Sequence, residues 1–235
     1  MITRFSFDWN EVKVNSASPE VWQKFVREKE FHLLASYLCL YVPSALELGA
    51  GDGGQSVAIS NYCDALVCTE LQEYGNRLGA FRARNLPNCE YLYADANNLS
   101  QFEDNTFDLV YSSNMLEHIT SWHIALGEAA RVLRPNGLMI HVMPSRQWKF
   151  WYWFVSVFLK RERPLIHGVE SSHIAEFLAF GERVWERKIT SLDLDVIQMI
   201  RLPFYFGHGP WPLWLIRLGN MVGWSASTAY IIKPH

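Results

Sequence analysis

The chain has 235 residues, 49% of them hydrophobic, and a formal net charge of −3. That length holds one domain, or one domain with an elaborated cap, and the apolar content excludes wholesale disorder. The small negative charge argues against a general nucleic-acid binder.

The first 20 residues include Asp8, Asn10, Glu11 and Lys13, which do not make a signal peptide. Pro19 and the recurrence of Val21, Trp22, Phe25, Leu33, Leu34, Tyr37 and Leu38 at spacings of three and four predict a helix from 19 to about 41, capped by Ser18. Strands and helices then alternate. Ala45–Leu48, Ala65–Thr69, Tyr91–Tyr93, Phe107–Tyr111 and Leu138–Val142 read as strands. Ser56–Tyr62, Leu71–Arg84 and Trp122–Leu133 read as helices, the last stopped by Pro135-Asn136-Gly137. From 144 to 190 the sequence is helical and aromatic, and Val196–Leu202 and Ala226–Ile232 read as late strands. The order predicts an α/β doubly wound, Rossmann-like sheet of seven strands, mostly parallel with the last antiparallel, and a helical cap insertion. One domain over 1–235 then comprises an N-terminal helical segment (1–43), a core (44–143), the cap (144–190) and C-terminal strands (191–235).

The four cysteines, Cys39, Cys63, Cys68 and Cys89, form no C-x-x-C pair and read as thiols of a reducing, cytoplasmic compartment. The apolar run Phe150–Leu159 is ten residues long, against the roughly 20 that a bilayer span requires. Lys160-Arg161-Glu162-Arg163 follows it, a combination suited to peripheral contact with an anionic membrane surface.

The chemical signal is Glu47-Leu48-Gly49-Ala50-Gly51-Asp52-Gly53-Gly54, between an apolar strand and a helix. Glycines there let a ligand approach bare backbone. Gly49, Gly51 and Gly54 satisfy the dinucleotide pattern G-x-G-x-x-G. Glu47, Gly49, Gly51 and Gly53 equally satisfy acidic-x-G-x-G-x-G, a pattern of S-adenosylmethionine binders. Glu70, ending the second strand, is placed to accept from ribose hydroxyls, which suits either cofactor. Asp95, in Tyr93-Ala94-Asp95-Ala96, is placed for an adenine amino group, or for a turn. Phe107-Asp108-Leu109-Val110-Tyr111-Ser112-Ser113-Asn114-Met115-Leu116-Glu117-His118 and Arg131-Val132-Leu133-Arg134-Pro135-Asn136-Gly137 complete the set.

This ordered set, over roughly residues 44–143, resembles the class I S-adenosylmethionine-dependent methyltransferases. The family often has Pro-Gly-Gly where this chain has Pro135-Asn136-Gly137, a change that left-handed Asn tolerates. The resemblance implies S-adenosylmethionine as cofactor and an enzyme that transfers its methyl group. It places the backbone of Gly49, Ala50, Gly51 and Gly53 beside the methionine moiety, with Glu47 orienting its ammonium group directly or through water. Glu70 and the adjoining Leu71 meet the ribose, Asp95 and Ala96 flank adenine, and Ser112 and Ser113 line the sulfonium pocket.

His118, just after the fourth strand, is the candidate general base, since a neutral imidazole near pH 7 suits proton abstraction. Glu117 reads as a capping residue in Asn114-x-x-Glu117, and His141 as a core histidine. His167, Glu170 and His173 match no zinc spacing, so no metal is expected. The acceptor falls to the segments outside the core, with Trp22, Arg146, Trp148, Tyr152, His167 and His173 as candidate contacts. The expected reaction is methyl transfer to an oxygen or nitrogen of a small molecule, a sugar or a lipid-linked glycan. The pattern His167-Gly168, Trp185, Leu202-Pro203-Phe204 and Gly207-His208-Gly209 is loosely similar to methyltransferases of bacterial glycan assembly. A soluble natural product, a lipid, or an inactive methyltransferase-like binding protein are the alternatives.

Overall fold

The computed structural model describes residues 2–4, 19–74, 77–82, 84–160, 163–203 and 213–235. Its strands are β1 (Ile2–Arg4), β2 (Val42–Leu48), β3 (Cys63–Glu70), β4 (Cys89–Tyr93), β5 (Phe107–Ser113), β6 (Leu133–Pro144), β7 (Leu194–Pro203) and β8 (Ser225–Pro234). They form one sheet in the order β1-β7-β8-β6-β5-β2-β3-β4. All neighbouring pairs are parallel except those of β8, which runs antiparallel to β6 and β7. The seven expected strands are thus present with the expected directions. The short β1, which the sequence did not announce, adds an eighth along β7.

The helices are α1 (Pro19–Leu38), α2 (Ser56–Ile59), α3 (Arg77–Arg82), α4 (Trp122–Val132), α5 (Arg146–Phe154), α6 (His173–Ala179), α7 (Glu182–Thr190) and α8 (Leu213–Met221). Two differences from the sequence reading have local causes. The single helix expected over Leu71–Arg84 is replaced by a 3₁₀ turn at Gln72–Tyr74 and the short α3. Here the Glu70 carboxylate accepts the Leu71 N–H at 2.9 Å, holding the strand end in a turn. α8, which the sequence reading did not include, starts directly after Pro212, the last of the prolines at 203, 210 and 212.

Alternation along the strands feeds both faces of the sheet. Leu46, Leu48, Val110 and Met139 join the core beneath α4 and α7, which supply Leu126, Ala129, Trp185 and Ile189. Ala45, Leu109, Tyr111 and Ile140 join the opposite core, with Phe31, Leu34 and Ala58 of α1 and α2. The order of strands reverses between β2 and β5, so the carboxyl ends of β2, β3, β4 and β5 open on one crevice, the usual ligand position in such sheets. The cap connects β6 to β7. Two of its helices, α5 and α6, are started by serines: the Ser145 and Ser172 hydroxyls accept from the Trp148 and Ala175 N–H groups. No helix among the described residues is long and apolar enough to cross a membrane.

Candidate cofactor site

A cavity of about 520 Å³ lies at this crevice, a volume within the rough 300–1,000 Å³ range of small-molecule sites. Its walls include Gly49, Glu70, Leu71, Asp95, Ala96 and His118 from the expected set, joined by Thr69, Asn97, Asn114, Met115, Thr120 and Ser121. The latter group escaped the sequence reading, although Asn114 and Met115 lie within the NMLEH stretch. Ser121 donates to the Asn97 side chain at 2.8 Å, tying two walls together.

The glycine loop is shaped by positive φ at Gly49 (70°), Gly51 (61°) and Gly53 (76°). A Cβ on Gly49 would stand 3.0 Å from Met115 Cγ, and one on Gly53 only 2.3 Å from Phe81 Cδ2. Gly53→Ala is therefore expected to destabilise the fold by about 1–3 kcal/mol, read as a lowered urea midpoint. The loop is fastened from three sides. Glu70 Oε2 accepts the Gly51 N–H at 2.9 Å, Tyr91 Oη donates to the Gly51 carbonyl at 3.0 Å, and Arg84 Nε donates to the Asp52 carbonyl at 2.6 Å. Glu70 thus both faces the cavity and orders the loop.

Asp95 forms the turn that was one of its two readings. Its Oδ1 accepts from the Asn97 N–H at 2.9 Å, an Asx turn, while the residue lines the cavity.

Other expected residues lie elsewhere. Glu47 is 3% exposed and accepts from the Ser56 hydroxyl beneath the loop. Burial pushes its carboxyl up to about 7. It is not on the cavity wall, and an ammonium group in the cavity would not meet it directly. Ser112 is fully buried, with its hydroxyl 2.7 Å from His141 Nδ1. Ser113 Oγ accepts from Arg27 Nη1 at 2.7 Å. The two serines are thus engaged by the core and by α1, and Asn114 and Met115 stand at the cavity in their place. His141 is a core histidine as read; burial lowers it to about 4 and keeps it neutral.

The Arg131 and Arg134 of the second motif are structural. Arg131 pairs with Glu128 and Asp104 and donates to the Leu99 and Phe102 carbonyls. Arg134 pairs with Asp108 at 2.6 Å.

His118 lies on the cavity wall, its side chain 46% exposed. Partial burial lowers it below the ordinary histidine value, outweighing the adjacent Glu117, so it is neutral near pH 7. Glu117 does not act as the expected cap: its side chain is 1% exposed, and among the described residues neither oxygen has a hydrogen-bond partner.

In the cap, His167 packs its ring against His118, with centroids 4.8 Å apart, and against Trp148. Trp148 stacks on Tyr152. These four expected contacts therefore adjoin one another at the rim. Arg146 does not join them. Its guanidinium donates to the Phe177 and Leu178 carbonyls at the end of α6, a C-terminal capping role that the sequence could not reveal. His173 lines a separate apolar cavity of about 210 Å³ with Phe150, Trp153 and Ile174. The Trp22 side chain, and residues Phe204, Gly207, His208 and Gly209, lie outside the described residues.

The cap is anchored by a buried pair that the sequence reading missed. Lys149, 1% exposed, pairs with the fully buried Glu176, whose Oε1 accepts the His167 and Gly168 N–H groups at 2.5 and 2.7 Å.

A methyltransferase domain model matches residues 46–141. The chain is 28% identical over 130 residues to the demethylmenaquinone methyltransferase of Staphylococcus haemolyticus, covering 54% of this chain and 51% of that protein. It is 30% identical over 128 residues to the phthiotriol/phenolphthiotriol dimycocerosates methyltransferase 1 of Mycobacterium ulcerans, covering 52% and 45%. The chain thus matches about half the length of these curated relatives. The structure of a SAM-dependent methyltransferase from Aquifex aeolicus superposes with a TM-score of 0.60, at 14% identity over 97% of this chain and 98% of that one. That likeness establishes the fold alone. The glycine cradle, the Glu70 and Asp95 carboxylates and the cavity volume fit an adenosyl cofactor. Residues 46–141 thus match the methyltransferase-domain family, and the chain shares the fold of S-adenosylmethionine-dependent methyltransferases.

Proposed function

We propose that the chain is an S-adenosylmethionine-dependent methyltransferase whose acceptor is a small molecule carrying a hydroxyl or amine on an apolar or aromatic body. The observation that carries this reading is the placement of His118 on the wall of the cofactor cavity, with the aromatic cap rim of His167, Trp148 and Tyr152 beside it. When bound, the cofactor supplies a methyl group activated by a sulfonium. Glu70 holds the ribose and Asp95 the adenine side, while the Gly49–Gly53 backbone admits the methionine moiety. The rim stacks on the acceptor's flat or apolar surface, and His118 assists removal of its proton.

Two relatives are named for demethylmenaquinone and for phthiotriol dimycocerosates, in keeping with an apolar small-molecule acceptor. A sugar or lipid-linked glycan is the more polar version of the same reading, since sugars also stack on aromatic faces. The cap exposes Phe150, Trp153, Phe158, Leu165 and Ile174, which favours delivery of the acceptor from a membrane surface by peripheral contact.

Methyl-labelled S-adenosylmethionine, incubated with the protein and panels of hydroxylated aromatics, glycans and lipids, with and without anionic vesicles, tests the reading. Label is expected in an aromatic or lipid acceptor. Label only in a soluble sugar would overturn the apolar reading, and cofactor binding without transfer to any panel would favour an inactive binding protein.

A further inference from the structure

We infer that Glu117, His118 and His167 form a binding site for a divalent first-row transition ion of the zinc class. One candidate ligand atom from each residue lies within 4.8 Å of the others. The Nε2 atoms of His118 and His167 stand 3.8 and 3.5 Å from the same oxygen, Glu117 Oε1. These separations are too long for N–H···O hydrogen bonds, whose heavy atoms approach to about 2.7–3.2 Å. They resemble the spacing of two ligands on one tetrahedral ion: with metal–ligand bonds of about 2.0–2.2 Å, neighbouring donors lie roughly 3.3–3.5 Å apart.

A second feature points the same way. The Glu117 side chain is 1% exposed, and among the described residues neither of its oxygens has a hydrogen-bond partner. A carboxylate desolvated in this way requires a compensating charge. The buried cation of the cap, Lys149, is engaged by Glu176 instead. The two half-exposed imidazole rings can turn toward the carboxylate, whereas Glu117 is fixed from outside. Its carbonyl accepts the Val169 N–H at 3.1 Å, and Gly168 approaches so closely that a Cβ there would stand 2.6 Å from that carbonyl. The cap loop and the end of β5 are thereby locked in the register that brings His167 to the pair.

Two imidazoles and one carboxylate suit zinc rather than magnesium, which prefers an oxygen shell. Three protein ligands leave a position open for an outside oxygen. The role of the ion rests on the methyltransferase reading. It would bind the acceptor's hydroxyl oxygen next to the cofactor cavity and lower its pKa, the proton passing to solvent. In the loaded protein His118 then assists deprotonation as a ligand, through the ion.

The test uses the full chain after chelator treatment, titrated with zinc by calorimetry and with cobalt by visible absorption. One equivalent is expected to bind, with the absorption of a low-symmetry cobalt site. His167→Ala and Glu117→Gln are expected to weaken binding by at least about 100-fold, and His123→Ala, on the exposed face of α4, to leave it unchanged. S-Adenosylmethionine binding should survive His167→Ala, which shows that variant to be folded. Absence of stoichiometric metal, or binding untouched by His167→Ala, would overturn the site. Loss of cofactor binding in the wild type would instead strike the methyltransferase reading and leave the metal result standing.

Discussion

Glu176→Ala is expected to destabilise the protein by about 3–5 kcal/mol, because it leaves a buried ammonium uncompensated. Lys149 is 1% exposed; apart from Glu176, its polar contacts include the Leu165 carbonyl at 3.2 Å. The same substitution strips the acceptor from the His167 and Gly168 N–H groups, so part of the loss comes from unpaired backbone donors. Urea unfolding measures the effect as a lower midpoint with an unchanged slope. Replacing both members by apolar residues of similar size should recover much of the loss, since the cost lies in the orphaned charge and not in absence of the pair. A loss below about 1 kcal/mol for Glu176→Ala would mean that the pair is solvated and does not anchor the cap.

His118→Ala carries the second large effect. Turnover is expected to fall by about 10²–10⁴, with affinity for the cofactor little changed. The pH profile should agree in sign. Burial holds the imidazole below the ordinary value of 6.5, so it becomes protonated only as the pH falls through that lowered value. Activity should therefore be retained at neutral pH and decline on the acid side. In the metal-loaded protein the decline has the same direction, because a protonated imidazole cannot ligate. Steady-state rates across pH, with separate titration of cofactor binding, check both statements. Unchanged turnover would remove His118 from the chemistry.

The parts of this protein that were legible in the sequence are those written in short-range pattern. Strand and helix alternation fixed the sheet, and the glycine spacing located the cofactor loop. Glu70 ends β3, and Asp95 and His118 lie on the segments that follow β4 and β5, where this topology brings chain segments to one crevice. What escaped depends on side-chain direction or on distant partners. Ser112 and Ser113 sit at the right strand end, but Ser112 is committed to His141 and Ser113 to Arg27. Arg146 was read as an acceptor contact because its partners, the carbonyls at the end of α6, are more than 30 residues away. Glu117 resembled a helix cap, and only the folded chain sets it against His167, fifty positions later. In the aromatic segment of the cap, Trp148 stacks on Tyr152 and meets His167 edge-on, and Phe150, Trp153 and Phe158 are exposed.

The central claim is that the crevice at the ends of β2, β3, β4 and β5 binds S-adenosylmethionine through Glu70. Calorimetric titration of the wild type and Glu70→Ala with S-adenosylmethionine, alongside nicotinamide dinucleotide, tests it most directly. Saturable binding of S-adenosylmethionine alone is predicted, weakened by about 10–100-fold in the variant, as loss of hydrogen bonds to a charged carboxylate implies. Binding of the dinucleotide instead, or S-adenosylmethionine affinity untouched by Glu70→Ala, would contradict it.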